Sequence, residues 1–481
     1  MTRLIDLPAT VDVLIIGAGT AGLVAAKTAA GFGADTLLVE AHRMGGDCLW
    51  TGCVPSKSLI AAAEIAQSAR DGSHLGVHVD GVRVDFAAVM AHVHGAMATI
   101  APIDSPETIE QSGARVVIGR ARFVSPRRAE IDGRPIAFRQ AIIATGSAPI
   151  LPRTPGMEGV SVLTSDTVWD LTTLPERLVV IGGGAIGCEL GQAFARLGSR
   201  VVLVQRGPRL LPKEDEGAAR IVTAALDNDG VDVRLSTEVV QVEANDDGES
   251  GILHLDDGTS VPFDRLLAAL GRSPRTEGLG LDAAEVRTTD RGHVIVDRTL
   301  RTSNTRIRAA GDVSGLPQFT HTAGVNGSVA ATNAVLGLRR TVSDVIPRVT
   351  FTHPEVAAVG LQPSEAAANG CSVQTVDHTH ADRAIVDDRT TGFTSLVIDS
   401  RGRLRGALIV GPRAGESLGE ASLAVSAGLR TSAVASATHA YPTYSDALFT
   451  AAVADVQGRL RRGALGVAVR ALSRVRSWRV R

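Results

Sequence analysis

The sequence predicts an α/β fold: two Rossmann-like dinucleotide-binding domains and, after them, a C-terminal α+β domain. Three observations carry this. "VDVLIIGAGTAGLVAAKTAAGFGADTLLVE" runs as an apolar strand, a Gly-rich turn, an Ala-rich helix and a second strand ending at Glu40. "RLVVIGGGAIGCELGQAFARLGSRVVLVQR" repeats that plan, and Gly17 to Glu40 and Gly182 to Gln205 both span 23 positions. Two βαβ units therefore share one chain. From about Pro347 onward, strands and helices mix without a further Gly-rich turn, which marks a third domain.

A chain of 481 residues is too long for one core. Its 44% apolar content and 51 glycines suit a glycine-rich α/β enzyme rather than a disordered or fibrous protein. A net charge of −2 gives no field for a polyanion, so nucleic acid is not expected as a partner. Four cysteines in so long a chain make no disulfide scaffold; a close pair points to redox or metal chemistry. The apolar run Val11 to Ala30 has the length of a signal or a membrane span. It carries Asp12, Lys27 and several glycines and no basic region leads it, so it reads as a buried strand and helix of a cytoplasmic protein. Lysine is scarce, with Lys27, Lys57 and Lys213 the only ones among 49 basic residues. A lysine kept where arginine is the default suggests a site that wants a compact ammonium, and Lys57 is singled out on that ground.

Each Gly-rich turn has a physical job. Gly17 permits the tight turn, Gly19 lets a pyrophosphate approach the helix N-terminus, and Gly22 lets helix pack on strand. Glu40 then offers a carboxylate to a ribose hydroxyl. In the second copy Gly182, Gly184 and Gly187 take these roles, but Gln205 replaces the acid, with Arg206 and Arg209 close behind. Arginine accommodates the extra phosphate of NADP, so NADPH is favoured and NADH stays open. Past the second unit, "VDVRLSTEVVQVEA" and "GILHLDDGTSVPF" alternate apolar and polar residues around Asp-Gly turns, the pattern of antiparallel strands.

"GGDCLWTGCVPSK" places Cys48 and Cys53 five positions apart. In a regular helix that is a rise of about 7.5 Å. A disulfide needs Cα atoms within about 7 Å, so the segment must bend if the pair is bonded. Gly52 gives the freedom to bend, and Pro55 suits the first turn of a following helix. Cys53 would then lie near a helix N-terminus with Lys57 one turn on, and both stabilise a thiolate. Two plainly buried thiols, or a zinc site, are the other readings; no further Cys or His cluster is near enough in sequence to favour zinc. Trp50, between the cysteines, could wall a substrate channel or fill a core.

Together with "ATGSAPILP", "IGGGAIGCELG", "ALGRSPRT", "AAGDVSG" and "FTHPEVAAVGL", this stretch resembles the class I pyridine nucleotide–disulfide oxidoreductases. That family includes dihydrolipoamide dehydrogenase, glutathione reductase and mercuric reductase, and the resemblance runs from about residue 10 to 455. It implies FAD on the first unit, nicotinamide on the second and a C-terminal dimerisation domain. The limits it suggests are 1–150 with 272–346 for FAD, 151–271 for NAD(P), 347–458 for dimerisation and 459–481 for a basic tail. Cys53 would be the thiol facing the flavin and Cys48 the interchange thiol that meets substrate. Lys57 would sit beside the flavin, paired with Glu189 next to the nicotinamide. Ala121, Thr145, Gly146, Ser147, Gly271, Asp312 and Thr320 are further cofactor contacts by the same resemblance. Electrons would pass from NADPH through FAD and the Cys48–Cys53 disulfide to a small-molecule acceptor, in a homodimer.

"HAYPTYSD" holds both tyrosines of the chain, Tyr441 and Tyr444. The disulfide reductases of this family carry a signature close to His-x-His-Pro-Thr-x-x-Glu, whose second His moves protons in the partner's active site. Here His439, Pro442 and Thr443 are kept, Tyr441 stands at the catalytic histidine and Asp446 at the glutamate. Reference pKa values for His and Tyr differ by about 3.5 units, or roughly 5 kcal/mol. Tyr441 is therefore a poor neutral-pH base, and a reductase direction is expected rather than dithiol oxidation. In an extended segment His439 points to the same side and is a second candidate for the proton. Interface packing is the plainer role for the tyrosines. The alternatives kept open are a flavin-level reductase of quinone or oxygen, a metal-ion reductase, and a non-enzymatic flavoprotein sensor. Finally, "VQGRLRRGALGVAVRALSRVRSWRVR" has eight arginines and no acid. At helical spacing it is basic and amphipathic, suited to a membrane surface or an acidic partner, or else a solvated tail.

Overall fold

The computed structural model describes residues 7–461 and 463–478. Strand β1 (Thr10–Ile16) has Val13, Leu14 and Ile15 fully buried, as expected of an inner parallel strand covered on both faces. It leads into helix α1 (Thr20–Gly31) and strand β2 (Thr36–Glu40). β1 lies between β2 and Arg134–Ile143, parallel to both, and Arg115–Ile118 and Ile307–Ala309 extend this parallel layer. Ala121–Ser125 and Arg128–Ile131 return antiparallel to complete the sheet. The turn after β1 requires glycine: Gly17 has φ +102°, and a Cβ there would lie 2.4 Å from the Ala144 carbonyl oxygen. Gly182 repeats this, with φ +112° and Ala269 O at 2.5 Å. The same steric solution recurs in both units.

The second unit is built on Arg177–Ile181, flanked in a parallel sheet by Arg200–Gln205 and Arg265–Ala268, with helix Ala185–Leu197 crossing between the first two. Val239–Ala244, Gly251–Leu255 and Ser260–Phe263 form a separate antiparallel sheet. The expected antiparallel pattern holds for these three. Asp232–Leu235, from the "VDVRL" stretch, is a strand outside that sheet, because its alternation alone does not say which edge it joins. The chain separates into two compact units, Met1–Arg206 with Thr237–Ser343, and Gly207–Ser236 with Asp344–Arg481.

Within the first, short helix α2 (Gly46–Trp50) precedes the 19-residue helix α3 (Cys53–Asp71). Helix Thr320–Leu336 packs along α1, and Gly327 allows the approach, since a Cβ there would sit 2.2 Å from Ala21 O. In the second unit a five-stranded antiparallel sheet runs Arg348–Thr350, Glu355–Gly360, Leu404–Gly411, Phe393–Ile398, Ser372–Asp377. Its core gathers Leu396, Ile398, Ile409, Leu418, Leu448 and neighbours, each fully buried leucine or isoleucine contributing about 1.5–3 kcal/mol. Helix Asp446–Arg461 belongs to this core, and helix Gly463–Trp478 follows it.

Candidate active site

The bend between the cysteines is a break between two helices. α2 ends at Trp50 with Thr51 as its cap, Gly52 takes φ −119° and ψ −112°, and Cys53 opens α3. A Cβ on Gly52 would lie 2.9 Å from Asp47 O, so this reversal excludes side chains. Cys48 and Cys53 are free thiols, and each perturbs the other's titration. Cys53 is pushed down to about 6, first by Cys48, against the opposing effect of burial, then by the Thr320 hydroxyl and the Lys57 charge. Cys48 is pushed far up by Cys53 and by burial. Thr320 Oγ1 stands 3.4 Å from Cys53 Sγ at the start of a 17-residue helix. Two helix N-termini thus converge on Cys53, and their dipoles favour a thiolate. One turn along α3, Lys57 Nζ is 2.8 Å from Glu189 Oε2, whose side chain is 8% exposed.

The Gly-rich turns leave room where a ligand needs it. A Cβ on Gly184 would meet nothing within 4 Å, and one on Gly19 only Gly46 Cα at 3.8 Å. Gly22 and Gly187, by contrast, press on the carbonyls of Gly17 and Gly182, where a Cβ would lie 1.8 and 1.9 Å away. Glu40 accepts from Ala18 N at 2.7 Å and from His42 N at 2.9 Å, leaving each carboxylate oxygen a lone pair for a ribose hydroxyl. Gln205 repeats the first of these bonds, accepting from Gly183 N at 2.8 Å. The hydrogen bond is conserved between the units and the negative charge is not. Arg206 is 3.4 Å from Glu238 with its side chain 83% exposed, and Arg209 donates to Pro212 O. These features fit FAD on the first turn and a nicotinamide dinucleotide on the second.

Of the remaining candidates, Asp312 accepts from Ser147 Oγ at 2.6 Å. Thr145 Oγ1 donates to Arg275 O, Gly146 O accepts from Arg275 N, and Gly271 O accepts from Ile150 N. Ala121 opens a strand opposite Ile131. Sequence reasoning missed the charged node behind them. Arg272, 14% exposed, donates to Ser147 Oγ at 2.7 Å, to Ser165 Oγ at 3.0 Å and to Asp47. Arg275 bridges Asp47 and Asp166, at 3.2 and 3.4 Å. The sequence signals were the acid beside Cys48 in "GGDC" and the two arginines of "ALGRSPRT", far apart along the chain. Trp50 turns back, its indole N–H donating to Met44 O with the Arg43 guanidinium 3.8 Å over the ring.

The C-terminal candidates lie in the second unit. Tyr441 is 72% exposed, the Tyr441–Pro442 peptide is cis, and the phenol donates to Asp382 Oδ2 at 2.5 Å. That bond raises its pKa further from neutrality. Asp446 does not hold Tyr441; at the start of helix Asp446–Arg461 it accepts from Thr443 N at 2.9 Å. His439 has both nitrogens engaged, Nε2 with Glu420 at 2.9 Å and Nδ1 with Ala437 O at 3.1 Å, and its ring packs on Phe449. Tyr444 packs against the core and donates to Asp387, and burial, then that bond, push it up to about 12.

With two nucleotide units and a helix-capped dithiol in place, the class is that of two-nucleotide dithiol flavoenzymes. Residues 11–327 match the pyridine nucleotide-disulphide oxidoreductase family and residues 346–452 its dimerisation domain. The chain belongs to that family, as an FAD-dependent oxidoreductase that works with a pyridine nucleotide and forms a homodimer. It is 35% identical to a mercuric reductase of Bacillus cereus, over 91% of this chain and 70% of that one. It is 35% identical to a dihydrolipoyl dehydrogenase of Thermus scotoductus, over 92% and 97%. The crystal structure of LpdA from Mycobacterium tuberculosis superposes with a TM-score of 0.85 at 27% identity, covering 92% of this chain and 99% of that one.

Proposed function

We propose that this protein is an NADPH-dependent reductase that passes electrons through Cys48 and Cys53 to a small disulfide or another soft electrophile. The observation that carries the reading is Cys53 at the first position of α3, with Thr320 Oγ1 3.4 Å from its sulfur and Cys48 and Lys57 close by, surroundings that lower its pKa and favour a thiolate. Domain limits of 1–150 with 272–346, 151–271 and 347–458 belong to the same proposal, as does a cytoplasmic location. FAD, when bound, supplies the electron pair that it takes from the nicotinamide. Two electrons and one proton open the Cys48–Cys53 disulfide to a Cys48 thiol and a Cys53 thiolate. Cys48, giving its proton to Cys53, attacks one sulfur of the acceptor disulfide, breaking that S–S bond and releasing one thiolate. Cys53, its proton passed to that thiolate, then displaces the second thiolate from Cys48 and re-forms the internal disulfide.

No step of this direction requires a histidine base. Tyr441, held protonated by its bond to Asp382, is no base for removing a proton from a dithiol substrate, and its phenol is left to offer a hydrogen bond or a proton to a leaving thiolate. NADPH is supported by Gln205, which keeps the turn's hydrogen bond without a charge that would repel a 2′-phosphate, and by the exposed Arg206 beside it. A second reading, reduction of a soft metal ion held by the dithiol, has the relatives named mercuric reductase in its favour.

Anaerobic titration of the flavoprotein with NADPH tests the relay. A long-wavelength band at the first reducing equivalent, lost in Cys53→Ser, is expected. Direct bleaching with no such band, and full turnover in Cys48→Ser, would sink the dithiol route and leave a quinone or oxygen reductase. Single-turnover assays with a small disulfide and with Hg(II) then separate the two acceptors.

A further inference from the structure

Helix Gly463–Trp478 leaves a broad aliphatic face uncovered. Val467 is 61% exposed, Leu472 65% and Val475 56%. At 3.6 residues per turn, Val467, Ala468, Ala471, Leu472 and Val475 fall within an arc of about 140°. Arg470 and Arg474 lie beyond the Val467 edge of that arc and Arg476 beyond the Leu472 edge, all three exposed. Arg470 also donates to Arg461 O at 3.0 Å, joining the helix to the end of its predecessor. Arg459 belongs elsewhere: it is bound to Asp455 and to the carbonyls of Asp399 and Ser400, which fixes helix Asp446–Arg461 to its own domain. The face is thus carried on an anchored base.

We infer that this helix is a docking surface for an anionic lipid bilayer. Two features decide the occupant. The sequence has no acid after Asp455, so the segment offers one sign of charge and no alternating pattern that would pair it with a specific protein surface. The arginines flank the aliphatic arc on both sides, the arrangement in which the apolar side chains sink about 5–10 Å into the headgroup boundary while the guanidinium groups meet lipid phosphates. A dimer seam of the same composition would place like charges on two-fold-related copies against each other, which costs rather than contributes.

Flotation of the full-length holoenzyme with vesicles tests this. The probes are phosphatidylcholine vesicles with and without 30 mol% phosphatidylglycerol. Binding to the anionic vesicles should exceed binding to the neutral ones at least tenfold and fall severalfold in 0.5 M salt. Leu472→Asp with Val475→Asp, and separately Arg470→Ser with Arg474→Ser and Arg476→Ser, should each abolish flotation. NADPH oxidation with a soluble acceptor should be unchanged in both, which shows that the fold is intact. Absence of flotation, or equal binding to the two vesicle types, overturns the inference. So does a change in sedimenting mass in the Leu472→Asp, Val475→Asp variant without any lipid binding, which would assign the face to a second copy.

Discussion

At the scale of single residues the chemistry rests on where one proton sits. Cys53 is the thiol favoured to carry the negative charge, because Cys48 lowers its pKa most, with Thr320 and Lys57 adding to the effect. The thiolate should therefore persist down to about pH 6 and be lost below it. Removing a donor raises the folded-state pKa and moves that loss upward. Cys48→Ala should shift the midpoint toward the ordinary cysteine range, and Thr320→Val should do so by a smaller amount. The rate of iodoacetamide alkylation of Cys53 against pH reads both, and an unmoved midpoint in Cys48→Ala would refute the assignment. A second residue-scale expectation concerns Gln205. Gln205→Glu keeps the bond to Gly183 N but adds a charge where a 2′-phosphate would come. The ratio of kcat/KM for NADPH over NADH should drop roughly 10- to 100-fold, about 1.4–2.7 kcal/mol. A wild-type ratio below one would reverse the nucleotide assignment, and an unchanged ratio in the variant would show that Gln205 does not face the 2′ position.

At the scale of elements, Arg272 ties α2, the Ser147 strand and the Ser165–Asp166 loop into one node. Its guanidinium is mostly buried, so Arg272→Met removes several charge-assisted bonds and leaves Asp47 to Arg275 alone. A loss of about 2–4 kcal/mol is expected, against about 1 kcal/mol for Asp47→Asn, which keeps the shape. Denaturant unfolding of the holoenzyme measures both: no loss in Asp47→Asn would show that the charge on Asp47 does nothing, and equal losses would show that it carries the whole node. The node also shows what sequence can and cannot reveal. Glu40 and Gln205 were legible, because a βαβ unit fixes the distance from glycine turn to strand end along the chain. Arg272 and Asp47 stand 225 positions apart, and no local period links them. Pattern matching set Asp446 beside Tyr441, but a carboxylate at a helix start finds the nearer backbone amide, and Tyr441 turns to Asp382 instead. His439 is legible as a candidate, but not that its nitrogens meet Glu420 and the Ala437 carbonyl.

At the scale of the whole molecule, the dimer decides whether Tyr441 can act at all. By the family signature each subunit's Tyr441 would reach its partner's thiols, and mixed dimers can test that without knowing the acceptor's name. Prepare Cys48→Ser and Tyr441→Ala as separate homodimers, each expected to be impaired in thiol-dependent reduction. Unfold the two together in equal amounts, refold them with FAD, and half of the dimers are mixed on statistical grounds. In a mixed dimer the Tyr441→Ala subunit keeps its cysteines and receives an intact Tyr441 from its neighbour. Its other site has neither. One good site in half of the dimers restores about a quarter of wild-type activity. If Tyr441 served its own subunit, every site in the mixture would lack either the cysteine or the tyrosine, and the activity would stay at the average of the two parents. If Tyr441→Ala alone proved fully active, the phenol would have no part in the chemistry. The exposed ring bonded to Asp382 would then be a surface feature of the interface, with protons reaching the leaving thiolate from water.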